Sequence, residues 1–216
     1  MSRAGRFLRA GRAVSTDMTQ PTNNANRNVV LGMQVSLDGF VADSTGDLSW
    51  MWRAFDRALR DSIVASLGRF DTYLMGRVNY LGQAAQWPDS TDEIAALMNA
   101  ATKVVFSRTL DRVDWANARL ATRDVAEEIA DLKRQPGKDI AVSGGARLAQ
   151  HVSRLGLVDE YDVIVHPVAL GTGMRLFGDL DHPLLLDQIG CERFDTGAAR
   201  LRYRPAAPVG RPGGTT

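Results

Sequence analysis

From Asn28 onward, apolar runs of strand length alternate with segments of helical spacing, and the alternation ends in two strand-like runs side by side. Few folds accept that order. A strand that leads into a helix returns parallel to itself, whereas two adjacent strands close antiparallel. The chain is therefore expected to be an α/β domain with a mostly parallel central sheet flanked by helices, ending in an antiparallel C-terminal hairpin. Strands are expected at 29–36, 70–75, 103–106, 119–121, 139–142 and 161–168, with the hairpin at 184–194 and 198–203. A helix is expected from Trp52, because Phe55, Leu59, Ile63 and Leu67 recur on one stripe before Gly68. Others are expected at 92–101, from Asp124 to the Pro136-Gly137 stop, and from Ala146, where Leu148, Val152 and Leu155 share a stripe that Gly156 closes.

The domain is expected to span 28–205. Residues 1–27 read as a disordered extension, with Arg3, Arg6, Arg9 and Arg12 and no acid before Asp17. They are either a targeting segment or the product of an early start codon ahead of Met18, the second being favoured. Residues 206–216 read as a disordered Pro/Gly tail. A net charge of +1 argues against an extended nucleic-acid surface. The single Cys191 excludes an internal disulfide, and three histidines without a Cys/His cluster give no zinc site. No apolar run approaches the roughly 18 residues needed to cross a membrane. A cytoplasmic protein with a small-molecule partner is expected.

In such sheets ligands gather outside the carboxyl ends of the strands, where four segments meet. Ser143-Gly144-Gly145-Ala146 turns a strand into a helix and leaves backbone amides free for a phosphate. Arg147 and Leu148 follow, so the G-x-G-x-x-G pattern is absent. Gly76-Arg77 sets a cation at a helix start, which an anionic ligand would favour. Ser107-Arg108 offers a hydroxyl and a guanidinium fork suited to a phosphate monoester. The fourth segment is the long loop after the first strand. Each reads singly as a plain turn; together they point to a dinucleotide.

Proton chemistry has three candidates. Asp56 is expected on the flank of the Phe55 stripe, near Ile63 and Trp52, partly desolvated and able to donate a proton; the alternative is an ordinary first-turn acid. Asp38, in Ser36-Leu37-Asp38-Gly39, serves either chemistry or the turn itself. His166 before Pro167 is a general acid or a satisfied strand-end histidine. Trp50, Trp52 and Phe55 could wall a flat ring, with a core place as the alternative for Phe55.

The segments SLDGFVADSTGDLSW, LMGRVNY, VVFSRTL, IAVSGGARL and GLVDEYDVIVHPVALGTGMRLF together resemble the dihydrofolate reductase-like proteins. The closest likeness is to the C-terminal reductase domain of the bifunctional riboflavin biosynthesis protein and its stand-alone relatives. The resemblance implies NADPH as cofactor, with Gly76 and Arg77 at its phosphates and Ser107 and Arg108 on the 2′-phosphate. It also implies Ser143, Gly144, Gly145 and Ala146 along the pyrophosphate and nicotinamide. Loop 36–50 would cover the ring, with Ser36, Asp38, Trp50 and Trp52 toward the substrate. Asp56 is similar in place to the acid of dihydrofolate reductases, and Asp38 to an aspartate that meets a ribityl or ribose group. Arg147 and Arg175 are candidates for a phosphorylated ribose. The expectation is an NADPH-dependent reductase of a pterin or ribosylaminopyrimidine-like heterocycle, of the dihydrofolate reductase or 5-amino-6-(5-phosphoribosylamino)uracil reductase type, paired as a homodimer. The alternative is an NADP-binding sensor or scaffold without turnover.

Overall fold

The computed structural model describes residues 27–143, 145–178 and 180–207. Strand β1 is Val29–Ser36, β2 Phe40–Ala42, β3 Phe70–Gly76, β4 Thr102–Phe106 and β5 Ala118–Leu120. Strands β6 (Asp139–Ser143), β7 (Glu160–His166), β8 (Met174–Arg175), β9 (Leu186–Arg193) and β10 (Ala199–Pro205) follow. The helices are α1 (Arg57–Leu67), α2 (Arg77–Ala84), α3 (Glu93–Ala100), α4 (Val125–Arg134) and α5 (Ala146–Arg154). Eight strands form one sheet in the order β5-β4-β3-β6-β1-β7-β10-β9, parallel from β5 to β7 and antiparallel through β10 and β9. The expected α/β architecture with its terminal hairpin is the one found.

Both faces are covered, which is why β1, β6 and β7 are apolar almost throughout. On one face, α4 and α5 set Ile129, Leu148 and Val152 against Val29, Leu31, Leu74, Ile140 and Val142. On the other, the cover is split. Tyr80 of α2 and Met98 of α3 pack over Tyr73, Met75 and Val105, while Leu59 of α1 packs over Ile164, Phe194 and Ala198. Between these two clusters lies the upper part of β1.

Arg27 belongs to the fold, one residue before the expected boundary. It is buried and bonds Asp71, Thr72 Oγ1 and the carbonyls of Leu132 and Lys138. The expectations for residues 1–26 and 208–216 lie outside the described residues.

Three local expectations are corrected. The helix does not run from Trp52: Ser49–Ala54 is a 3-10 helix, Phe55 leaves it, and extended Asp56 starts α1 afresh. The long loop after β1 is not wholly irregular, because β2 within it pairs antiparallel with β8, which follows β7. Leu155 does not share the buried stripe; it is half exposed beyond the end of α5.

Candidate functional site

Three helices begin with an aspartate that accepts a backbone N–H: Asp56 from Leu59, Asp92 from Ile94 and Asp124 from Glu127, at 2.8, 2.8 and 2.9 Å. Helices α2 and α5 differ. They open from Gly76 and Gly145, with no side-chain cap and no acid in the first turn. Their amides therefore keep a net positive end without an internal partner. The two ends also meet: a Cβ on Gly145 would lie 3.8 Å from the Gly76 nitrogen and 3.9 Å from its Cα. Gly145 has φ +83, a left-handed conformation open to glycine at little cost. Ser143 ends β6 beside this junction and Ala146 is buried in the first turn of α5. Gly144 lies outside the described residues.

Arg77, Arg108 and Arg147 are all exposed at this carboxyl edge, and none makes an ion pair among the described residues. Ser107 Oγ accepts from Thr109 N and Leu110 N, at 3.1 and 2.9 Å, which shapes the turn and leaves its O–H to donate. Thus both the turn and a donor are provided by one hydroxyl. Arg175 is exposed in β8, its guanidinium 4.6 Å from the centre of the Phe40 ring, so it is positioned rather than free in a loop.

The loop after β1 is tied down on both sides. Leu37 N donates to Val168 O at 2.7 Å and Leu176 N to Gly39 O at 3.0 Å. Asp38 is the fastener. Its carboxylate accepts from Ser36 Oγ at 2.6 Å, from Gly171 N at 2.7 Å and from Leu170 N at 3.1 Å. The Ser36 hydroxyl and then the Gly171 amide hold it down to about 2, so Asp38 is ionised at neutral pH. Of the two readings of Asp38, its bonds serve the turn, where its carboxylate acts as an acceptor. Ser36, expected at the substrate, is fully buried, and its Oγ also accepts from Phe40 N at 3.0 Å. Its place is in the turn.

Asp56 stands at the start of α1, not on its flank, with one oxygen committed to Leu59 N. Trp52 is 60% exposed and meets the Phe55 ring edge-on at 5.0 Å, while Phe55 itself is partly buried against the α1 cluster. Trp50 turns its ring to His166, centroids 5.5 Å apart and planes at 85°. His166 is buried, and burial pushes it below its ordinary value, so the ring is neutral at pH 7. A neutral ring is a poor proton donor.

Reading the sequence by apolar content alone misses two residues. Gly32 is exposed in the middle of central strand β1, and a Cβ there would meet nothing within 4 Å. Gln34, two residues on and hence on the same face, is partly exposed and bonds His166 Nε2 through Oε1 at 2.8 Å. Together they mark an open crevice floor between the α1 and α2 clusters, next to Ser143 in register with Gly32. The detectable signal was a glycine and an amide at i and i+2 in VVLGMQVS, breaking one face of a buried strand.

Among the described residues, no helix is long and apolar enough to cross a membrane, and no three His, Cys, Asp or Glu side chains are grouped to hold a metal.

Residues 27–199 match the model of the RibD C-terminal domain. The uncharacterized protein YyaP of Bacillus subtilis is 35% identical over 188 residues, covering 84% of this chain and 97% of that protein. A diaminohydroxyphosphoribosylaminopyrimidine deaminase/5-amino-6-(5-phosphoribosylamino)uracil reductase from Thermotoga maritima superposes with a TM-score of 0.63 at 18% identity. That match covers 84% of this chain and 57% of the other. Dihydrofolate reductase from Enterococcus faecalis, solved with NADP(H), superposes with a TM-score of 0.57 at 10% identity, covering 83% and 97% of the two chains. The chain belongs to the RibD C-terminal domain family and has the dihydrofolate reductase-like fold of its reductases.

Proposed function

We propose that this protein is an NADPH-dependent reductase of a small pterin or ribosylaminopyrimidine-like heterocycle. The observation that carries the reading is the meeting of two uncapped, acid-free helix N-termini at Gly76 and Gly145. Such a junction fits a pyrophosphate, whose charge the amides and dipoles favour. A side chain at Gly145 would fill the cradle. NADPH, when bound, supplies the hydride.

The chain's own residues do the rest. The α2 and α5 amides hold the pyrophosphate, with Gly144 between them in sequence, and Arg77 adds charge. Ser107 donates its O–H and Arg108 its fork to the 2′-phosphate, the group that separates NADPH from NADH. Ser143 and Ala146 flank the nicotinamide end. Trp50 and Trp52 bound the substrate's ring, and Asp38 keeps the covering loop shut against water by holding Leu170 and Gly171. Asp56, at the start of α1, accepts from a ring N–H and guides a proton from solvent onto the heteroatom bonded to the carbon that takes the hydride. A homodimer through the exposed edge of β9, acting in the cytoplasm, completes the reading.

NADPH consumption with dihydropterin and ribosylaminopyrimidine substrates tests it. Asn caps a helix as well as Asp, so Asp56→Asn isolates the chemistry from the fold. It is expected to lower kcat by about 100-fold or more while NADPH affinity stays unchanged. Unchanged kcat removes Asp56 from catalysis. NADPH that binds but is never consumed, across both substrate classes, favours a sensor.

A further inference from the structure

Gln34 is an anomaly that the hydride chemistry leaves unexplained. It is a long amide in the central strand of a parallel sheet, where side chains are normally apolar. Its side chain is only partly buried, at the crevice floor beside open Gly32. One end is fixed by His166 Nε2 at 2.8 Å. Trp50 packs edge-on against the His166 ring, with centroids 5.5 Å apart, which helps hold the imidazole in place.

The direction of that bond follows from the other ring nitrogen. His166 Nδ1 is buried and has no hydrogen-bond partner. A buried N–H without a partner is rarer and costlier than a buried lone pair, so the proton of the neutral ring sits on Nε2. Nε2–H then donates to Gln34 Oε1. That contact uses the amide's acceptor and turns its NH2 group, two donors and no acceptor, toward the crevice.

We infer that Gln34, oriented by His166, is a specificity residue that reads a hydrogen-bond acceptor on the substrate ring, so that the crevice selects oxo-heterocycles over their amino counterparts. The inference rests on the reading above only in taking the crevice as the substrate's site. An amino group facing Gln34 would set donor against donor and leave both unpaired in a partly desolvated place, the kind of mismatch that discriminates strongly.

The test is calorimetric binding at pH 8 of two probes, 6-aminouracil and 2,4,6-triaminopyrimidine, which differ in carbonyl acceptors against amino donors. Wild type is expected to prefer 6-aminouracil by about tenfold or more. Gln34→Glu keeps an acceptor for His166 but presents a second acceptor to the crevice, so it is expected to invert the preference. Gln34→Met, of similar length and without polar atoms, is expected to abolish it, and decides the matter if the Glu variant does not fold. The same preference in wild type and both variants overturns the inference, as does failure of both probes to bind wild type at about 10 mM. NADPH titration of the same samples separates the two readings. Inversion without NADPH binding leaves Gln34 its role and removes the reductase; NADPH binding with no change of preference does the reverse.

Discussion

At the scale of single residues, Asp38 does most to shape the site. Its carboxylate gathers Ser36, Leu170 and Gly171 and so joins the turn after β1 to the loop after β7. Its folded value of about 2 lies below the ordinary carboxylate range, so between roughly pH 4 and 2 the unfolded chain binds the proton more readily. Stability from this group is therefore fully present above about pH 4 and is lost as the pH falls through 2. Asp38→Asn is expected to flatten that part of the acid limb. Chemical denaturation of both proteins from pH 5 to 2 reads it, and parallel curves would remove Asp38 as the fastener. Ser36-Leu37-Asp38-Gly39 is legible as turn chemistry, but local spacing carries no sign of Leu170 and Gly171, the partners more than a hundred residues away. Gln34 was less legible for a different reason. The run around it is apolar on average, and only sorting its residues by face exposes the break.

At the scale of elements, the long helices and strands follow from their spacing, and the helices expected to open at Asp92 and Asp124 do so, each aspartate acting as the cap. The start of α1 did not follow, because Phe55 continues the stripe of Leu59 and Ile63 across a break in the backbone. Hydrophobic spacing does not register a kink that leaves the side chains on one side. Strands β2 and β8 were illegible too, since two or three residues carry no period. Their pairing depends on Gly173, at φ +144, where an added Cβ would lie 2.2 Å from the Ala42 carbonyl oxygen. That oxygen is backbone and cannot move aside without breaking the ribbon. Gly173→Ala is expected to cost about 2 kcal/mol or more and to loosen the covering loop. Thermal melting and limited proteolysis within 37–50 check it; an unchanged melting temperature and cleavage pattern would show that the ribbon does not hold the loop.

At the scale of the whole molecule, the sheet order sends the connections from β1 and β6 in opposite directions, and ligands in such sheets bind at that reversal. The crevice floor at Gly32 and Gln34, the Gly76–Gly145 junction and Arg77, Arg108 and Arg147 all lie on this one edge. Opposite it, the lower half is locked by ion pairs: Arg69 bonds Glu160 and Asp139, and Arg200 bonds Asp162 with Ser62 of α1. Three arginines at the carboxyl edge thus have no acidic partner among the described residues, an arrangement that suits an anionic ligand. The measurement that tests this most directly is a parallel titration with NADPH and NADH, read by tryptophan fluorescence, for wild type and Arg108→Ala. The account predicts tighter binding of NADPH, and loss of about 1.5–3 kcal/mol, roughly 10- to 150-fold, of NADPH affinity in the variant with NADH unaffected. Equal affinity for the two nucleotides, or binding of neither, would contradict it.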